Sequence, residues 1–301
     1  MSFAALKPGD LVAVVAPAGP ASAEQVAAVP ALYQRHGLRV RLHPGCHAST
    51  GYLAGPDALR LADLHAALAD PEVAAIHCLR GGYGAMRLLP EVDAALVQRA
   101  AKLLIGYSDI TALHALWACC GLPSLHAPMP ASDLIKPGRE ADEAALFGLL
   151  RAGLLDGTVL APALAADGLR VPGHAQGTLI GGNLSLVAAL LGTPWAWHAP
   201  GAILFLEDVS EEPYRVDRLL TQLRLAGVLH AVSGFVLGSF TEESSPAALL
   251  QDMLCGLGKP VLGGWPTGHG TPNLPLPMGV PVALDATAGR ITLRQDFLRP
   301  G

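Results

Sequence analysis

Three short apolar runs constrain this chain more than any other feature: Leu11-Val-Ala-Val-Val-Ala16, Val73-Ala-Ala-Ile-His-Cys-Leu79 and Leu103-Leu-Ile105. Runs this brief and this apolar read as strands buried on both faces, the texture of a parallel sheet. Helical patterns separate them. Ser22 can cap one helix, with Glu24 in its first turn. Asp57 to Leu68 places Leu59, Leu61, Leu64 and Leu68 on or near one face, a further helix spans about Val92 to Ala101, and Ile110, Leu113 and Leu116 recur at helical spacing. With Leu38 to Leu42 as another strand, the alternation predicts a parallel sheet covered by helices on both faces. Ligands of such sheets bind beyond the carboxyl ends of the strands.

A length of 301 residues suits two domains. The texture changes after Pro123, where Pro, Gly and polar residues accumulate around a helical stretch from Glu140 to Leu150. The reading is an N-terminal domain over residues 1–125, a crossover over 126–172 and a mixed α/β C-terminal domain over 173–301. In the last of these, Gly173 to Asn183 reads as a strand running into a Gly181-Gly182 turn, with Asn183 capping the helix Leu184 to Leu191. Ala202 to Leu206 reads as a buried strand ending at Glu207-Asp208, and Gly234–Gly238, Lys259–Leu262, Val280–Leu284 and Arg290–Leu293 as further strands.

Composition narrows the function classes. A formal charge of −5 and the lack of any basic run argue against nucleic acid or an anionic membrane as partner. The N-terminus lacks the basic and apolar regions of a signal peptide, and the most apolar window, Leu184 to Trp197, is too short and interrupted to span a bilayer. Cys46, Cys78, Cys119, Cys120 and Cys255 are odd in number and form no C-x-x-C, so a disulfide framework is not expected and a reduced compartment fits. The eleven histidines form no ligand-spaced pair, and no metal is expected.

Candidate chemistry gathers where strands end. Gly106-Tyr107-Ser108-Asp109 joins the Leu103 strand to a helix. A serine at such a sharp turn is exposed beside a helix N-terminus, where the next backbone N–H points at a forming oxyanion. The usual elbow has glycine two residues after the serine, and here that position is Ile110; on this stretch alone the commoner use of Ser108 or Asp109 is to cap the helix. Arg80-Gly81-Gly82-Tyr83-Gly84 follows the Val73 strand. Its glycines allow close backbone approach and an anion nest, or an ordinary tight turn. Arg80 could grip a carboxylate or sit in a surface ion pair. Glu207 ends a strand, but Asp208, Glu211 and Glu212 follow it closely, which is also the look of a solvated acidic surface. For a base, His269 lies between two glycines, His126 lies just past the next strand, and His114 lies within a helix where packing is the simpler use.

Taken in order, these segments resemble the LD-carboxypeptidase (muramoyltetrapeptide carboxypeptidase) family of serine peptidases. The matching stretches are Leu6-Lys-Pro-Gly-Asp10 with Ala16-Pro17, Arg80–Gly84, Gly106–His114, Gly181-Gly-Asn-Leu-Ser185, Leu206–Val209 with Glu212–Arg218, and Gly268–Gly270 with Asn273 and Leu276-Pro-Met-Gly279. One departure is Ala127 in His126-Ala127-Pro128, where glycine is expected. The resemblance implies a flavodoxin-like N-terminal domain and a smaller mixed C-terminal domain, with the active site at their interface and no cofactor. It implies Ser108 as nucleophile, His269 as base and then acid, and Glu207 as the group orienting His269. The N–H groups of Asp109 and of Gly81 or Gly82 would receive the oxyanion. It further implies a homodimer in the cytoplasm that removes the terminal D-Ala of murein tetrapeptide. Three other readings stand beside it. One is a self-immunity peptidase cleaving a peptidyl-nucleotide of the microcin C type, with Trp195, Trp197 or Trp265 as an aromatic platform. Another is a non-catalytic peptide-binding module. A metal-dependent hydrolase is a third.

Overall fold

A computed structural model describes residues 1–165, 168–241 and 246–300. Ala166 and Asp167, within the expected crossover, lie outside the described residues. In chain order the first half runs β1 (Phe3–Ala4), β2 (Leu11–Val15), α1 (Ala23–Arg35), β3 (Arg39–Leu42), α2 (Asp57–Ala69), β4 (Val73–Cys78), α3 (Ala85–Leu88), α4 (Ala94–Ala100), β5 (Leu103–Gly106), α5 (Thr111–Cys119) and β6 (Ser124–His126). Then come α6 (Glu140–Ala152), β7 (Val159–Leu160), β8 (Arg170–Val171), β9 (His174–Asn183), α7 (Leu184–Ala189), β10 (Ile203–Val209), α8 (Pro213–Leu225), α9 (Val228–Ala231), β11 (Gly234–Thr241), α10 (Ala247–Leu254), β12 (Val261–Leu262), β13 (Leu276–Met278), β14 (Pro281–Asp285), β15 (Arg290–Leu293) and β16 (Leu298–Arg299).

The expected parallel sheet forms. Its order is β13-β6-β5-β4-β2-β3, parallel throughout except for the β13–β6 pair. Counted from β2, the five parallel strands follow the flavodoxin-like order 2-1-3-4-5. The strand β2 is buried along its whole length and alternates between two cores. Val12 and Val14 pack with Val26, Val29 and Leu32 of α1, whereas Leu11, Ala13 and Val15 pack with Leu64 and Leu68 of α2 and Leu113 of α5. That two-sided burial is why the run is apolar without interruption. Ser22 closes a capping box with Gln25 at the start of α1, as its position suggested.

The second sheet is mixed, in the order β7-β15-β14-β9-β10-β11-β12-β8. The strands β9 to β12 are parallel, and antiparallel strands flank them on both edges. The short strands β7 and β8 fall within residues 126–172, and β13, late in the chain, returns to pair with β6 of the first sheet. The Gly181-Gly182 pair is part of β9 rather than a turn after it. The reason is packing between the two sheets: a Cβ on Gly182 would stand 2.5 Å from Oγ1 of Thr111, at the start of α5. The N–H of Asn183 then donates to that same Oγ1 at 3.0 Å, and the Asn183 side chain caps α7 as expected.

Candidate active site

The ends of β2, β4 and β5 meet a bulge within β10. At the end of β5, Tyr107 is extended and Ser108 takes a left-handed backbone, φ 64°, before a 3-10 turn (Ser108–Ile110) leads into α5. A residue other than glycine in this region is costly and is retained where the surroundings dictate it. Neither Ser108 nor Asp109 caps the helix. The carboxylate of Asp109 accepts the N–H of Ala85 at 2.8 Å instead, so it ties the serine turn to the Gly-rich turn after β4. Burial raises the Asp109 carboxyl to about 6, against the pull of the Ala85 N–H and Arg60.

The Gly-rich turn lies against the serine. A Cβ on Gly81 would be 2.9 Å from Oγ of Ser108 and 3.6 Å from the backbone N of Asp109. The carbonyl of Gly81 accepts the N–H of Gly19, from the loop after β2, so the turn is held at the switch point of the sheet. Arg80 donates from Nη1 to the carbonyl of Pro20 at 2.9 Å and is not in a surface ion pair; its buried Nε has no hydrogen-bond partner among the described residues.

The other sheet supplies the remaining groups. Glu207 sits where the register of β10 against β11 shifts, between Leu206 and Asp208. Such a bulge re-aims side chains. Glu207 and Asp208 are both fully or nearly fully buried, not solvated. Asp208 accepts from Asn183 and Ser185, whereas Glu207 accepts from His269, Nδ1 to Oε2 at 2.7 Å. With Nδ1–H given to Glu207, Nε2 is the acceptor for the Ser108 hydroxyl, 3.1 Å away. Burial alone would raise the Glu207 carboxyl; His269 and His126 overcome it and hold it well below the usual carboxylate range. Burial works against a charged His269, yet the Glu207 carboxylate outweighs it and raises the imidazole above its ordinary value. Thus Ser108, His269 and Glu207, separated by up to 161 positions in sequence, form one hydrogen-bonded chain.

The rival histidines are placed elsewhere. His114 is packed in α5, bonded to Ser124 and the Gly106 carbonyl. His126 is buried behind Glu207, 3.9 Å from its Oε1. Trp265 is a core residue, and Trp195 and Trp197 are partly buried against the helices. Among the described residues no cluster of three His, Cys, Asp or Glu side chains could hold a metal ion, and no helix is long and apolar enough to cross a membrane.

Side chains that the sequence did not single out, together with Asn273, hold the His269 loop. Arg139 donates to the Gly270 carbonyl at 3.2 Å and to Thr271, and pairs with Asp133 and Asp142, both at 2.8 Å. Asp142 accepts the N–H of Asn273, whose side chain accepts the N–H of Gly268, each at 2.9 Å. Ser239 accepts the N–H of Gly270 at 2.9 Å. The only sequence signal for Arg139 and Asp142 was their place at the start of a helical pattern.

The comparisons with known proteins agree with this architecture. Residues 12–127 match the LD-carboxypeptidase N-terminal domain and residues 176–284 the LD-carboxypeptidase C-terminal domain. A putative carboxypeptidase of Streptomyces coelicolor is 43% identical over 99% of this chain and 98% of its own. The crystal structure of a muramoyltetrapeptide carboxypeptidase from Oxalobacter formigenes superposes with a TM-score of 0.84, at 31% identity over 96% of this chain and all of that one. The microcin C7 self-immunity protein MccF shares the fold, with a TM-score of 0.89 at 24% identity over 99% of this chain and all of its own. The chain belongs to the LD-carboxypeptidase family.

Proposed function

We propose that this protein is a serine carboxypeptidase that releases the terminal D-alanine of murein tetrapeptide during peptidoglycan recycling. The observation that carries the reading is the chain from Ser108 Oγ through the His269 ring to Glu207. The name of the Oxalobacter relative supports the substrate class.

His269 Nε2 takes the hydroxyl proton as Ser108 Oγ attacks the carbonyl carbon of the scissile amide. The negative charge that develops on the carbonyl oxygen is received by the N–H of Asp109 and by one from the Gly81-Gly82 turn. As the C–N bond breaks, His269 returns the proton to the departing amine, and D-alanine leaves. Water then attacks the acyl-serine ester, giving its proton to His269, and the Ser108 oxygen recovers a proton as it departs. The carboxylate of Glu207 fixes the tautomer of His269 and offsets its positive charge in both halves. Arg80 is the group proposed for the free carboxylate of the leaving residue.

The test is mass spectrometry of murein tetrapeptide incubated with wild type and with Ser108→Ala. Loss of one alanine with wild type alone supports the reading. Product from both proteins removes Ser108 from the mechanism, and intact peptide from a folded wild type removes the substrate.

A further inference from the structure

His126 has no hydrogen-bond partner for either ring nitrogen among the described residues, although its side chain is wholly buried. The same is true of Oε1 of Glu207, the carboxylate oxygen that His269 does not use. These orphans face each other: His126 Nε2 lies 3.9 Å from Glu207 Oε1. Two buried polar groups left unpaired each carry a desolvation cost, and a ring rotation or a carboxylate twist of about 1 Å brings such a pair into hydrogen-bond range. The surroundings leave His126 little else to do. Its ring lies 5.1 Å from Phe205, 5.6 Å from Tyr107 and 6.1 Å from His114, centre to centre. His114 is already bonded through both nitrogens.

We infer that His126 is a positioning residue for the hydrolysis, donating from Nε2 to Oε1 of Glu207 so that Oε2 stays aimed at Nδ1 of His269. The inference rests on the serine-peptidase reading given above. It assigns a use to the histidine that rivalled His269 in the sequence: it acts on the same carboxylate from the opposite side. A carboxylate with one oxygen bonded is freer to turn, and when it turns the His269 ring loses its orientation. The bond has a second consequence. A donor on Oε1 withdraws charge from the carboxylate, so less of that charge stabilises protonated His269. His126 therefore keeps His269 in its neutral, proton-accepting form down to lower pH than Glu207 alone would allow.

Other charged groups face this pair and stay constant in the test. Asp208 follows Glu207 on β10, and Asp133 acts on His269 and Tyr107 from the segment after β6. Arg139 reaches Tyr107 electrostatically from the start of α6.

His126→Gln and His126→Asn separate this role from packing. Both are polar, but glutamine carries its amide nitrogen about where Nε2 lies, whereas asparagine is one methylene too short to reach Oε1. The readouts are kcat, KM and the acid limb of kcat/KM on murein tetrapeptide, with the NMR titration of His269 in the absence of substrate. The glutamine variant is expected to keep kcat and the limb near wild type. The asparagine variant is expected to lose about tenfold or more in kcat with little change in KM. Its limb and its His269 titration are both expected to move to higher pH. Equal behaviour of the two variants in the His269 titration overturns the inference, as does a shift to lower pH with asparagine. If wild type leaves the tetrapeptide intact, the substrate reading fails, while the NMR titration still decides the role of His126.

Discussion

Gly81 lies so close to Ser108 that a Cβ on the glycine would stand 2.8 Å from the Cβ of the serine. Neither side can give way easily. The Ser108 Cβ is set by its backbone, and the Gly81 carbonyl is held by the N–H of Gly19. Gly81→Ala should therefore lower kcat by about two orders of magnitude while costing about 1–3 kcal/mol of stability, the usual range for overpacking. Steady-state kinetics beside urea denaturation checks it. A fully active Gly81→Ala enzyme would mean that the turn is free to move and does not shape the oxyanion site.

The left-handed backbone of Ser108 makes a stability prediction of its own. Ser108→Ala and Ser108→Gly both remove the hydroxyl, so both are expected to be inactive. They differ in what the turn asks of them. Alanine retains a Cβ penalty of about 1–2 kcal/mol in this region, and glycine escapes it at an entropic cost of about 0.5–1 kcal/mol. The glycine variant should be the more stable of the two by about 0.5–1 kcal/mol, measured by equilibrium denaturation. An alanine variant as stable as the glycine one would contradict the strain.

The buried Asp109 carboxyl gives a pH dependence with a definite sign. Its value in the folded protein is raised to about 6, against about 3.9 in an unfolded chain. The folded state therefore binds the proton more tightly. The stabilising contribution is complete below the unfolded value and is lost as pH rises through the folded one. Asp109→Asn keeps an oxygen for the Ala85 N–H and does not titrate. Its stability relative to wild type should rise between about pH 4 and pH 6 and level off above, by up to about 3 kcal/mol. Urea unfolding of both proteins across that interval measures the difference, and a gap that stays flat or narrows with pH would refute the assignment.

The first sheet was legible because its strands are buried on both faces and separated by amphipathic helices, a local pattern that survives without any knowledge of contacts. In the second sheet β9 to β12, β14 and β15 were legible one by one, but β7 and β8 and the order of the sheet were not, since β7 and β8 are two residues long and pair with partners far away in sequence. The Gly181-Gly182 pair looked like a turn for the same reason: what requires glycine there is the Phe205 carbonyl of β10 against Gly181 and Thr111 of α5 against Gly182, not a change of chain direction. Among the acids after β10, the bulge at Glu207 decides which one faces His269, and alternation along a strand does not reveal a bulge.

The sequence by itself determined the parallel core, the serine at a strand end and the family, because these depend on local periodicity and on residue types kept in order along the chain. The resemblance already pointed to His269; only the tertiary structure brought its Nε2 to Ser108, and only it decided that Asp109 braces the Gly-rich turn instead of capping a helix and that Arg139, Asp142 and Ser239 hold the His269 loop. Those are contacts across tens to more than a hundred positions, made by single side chains whose identity leaves no periodic trace. They exist only once the two sheets are packed together, with His269 bridging Ser108 and Glu207.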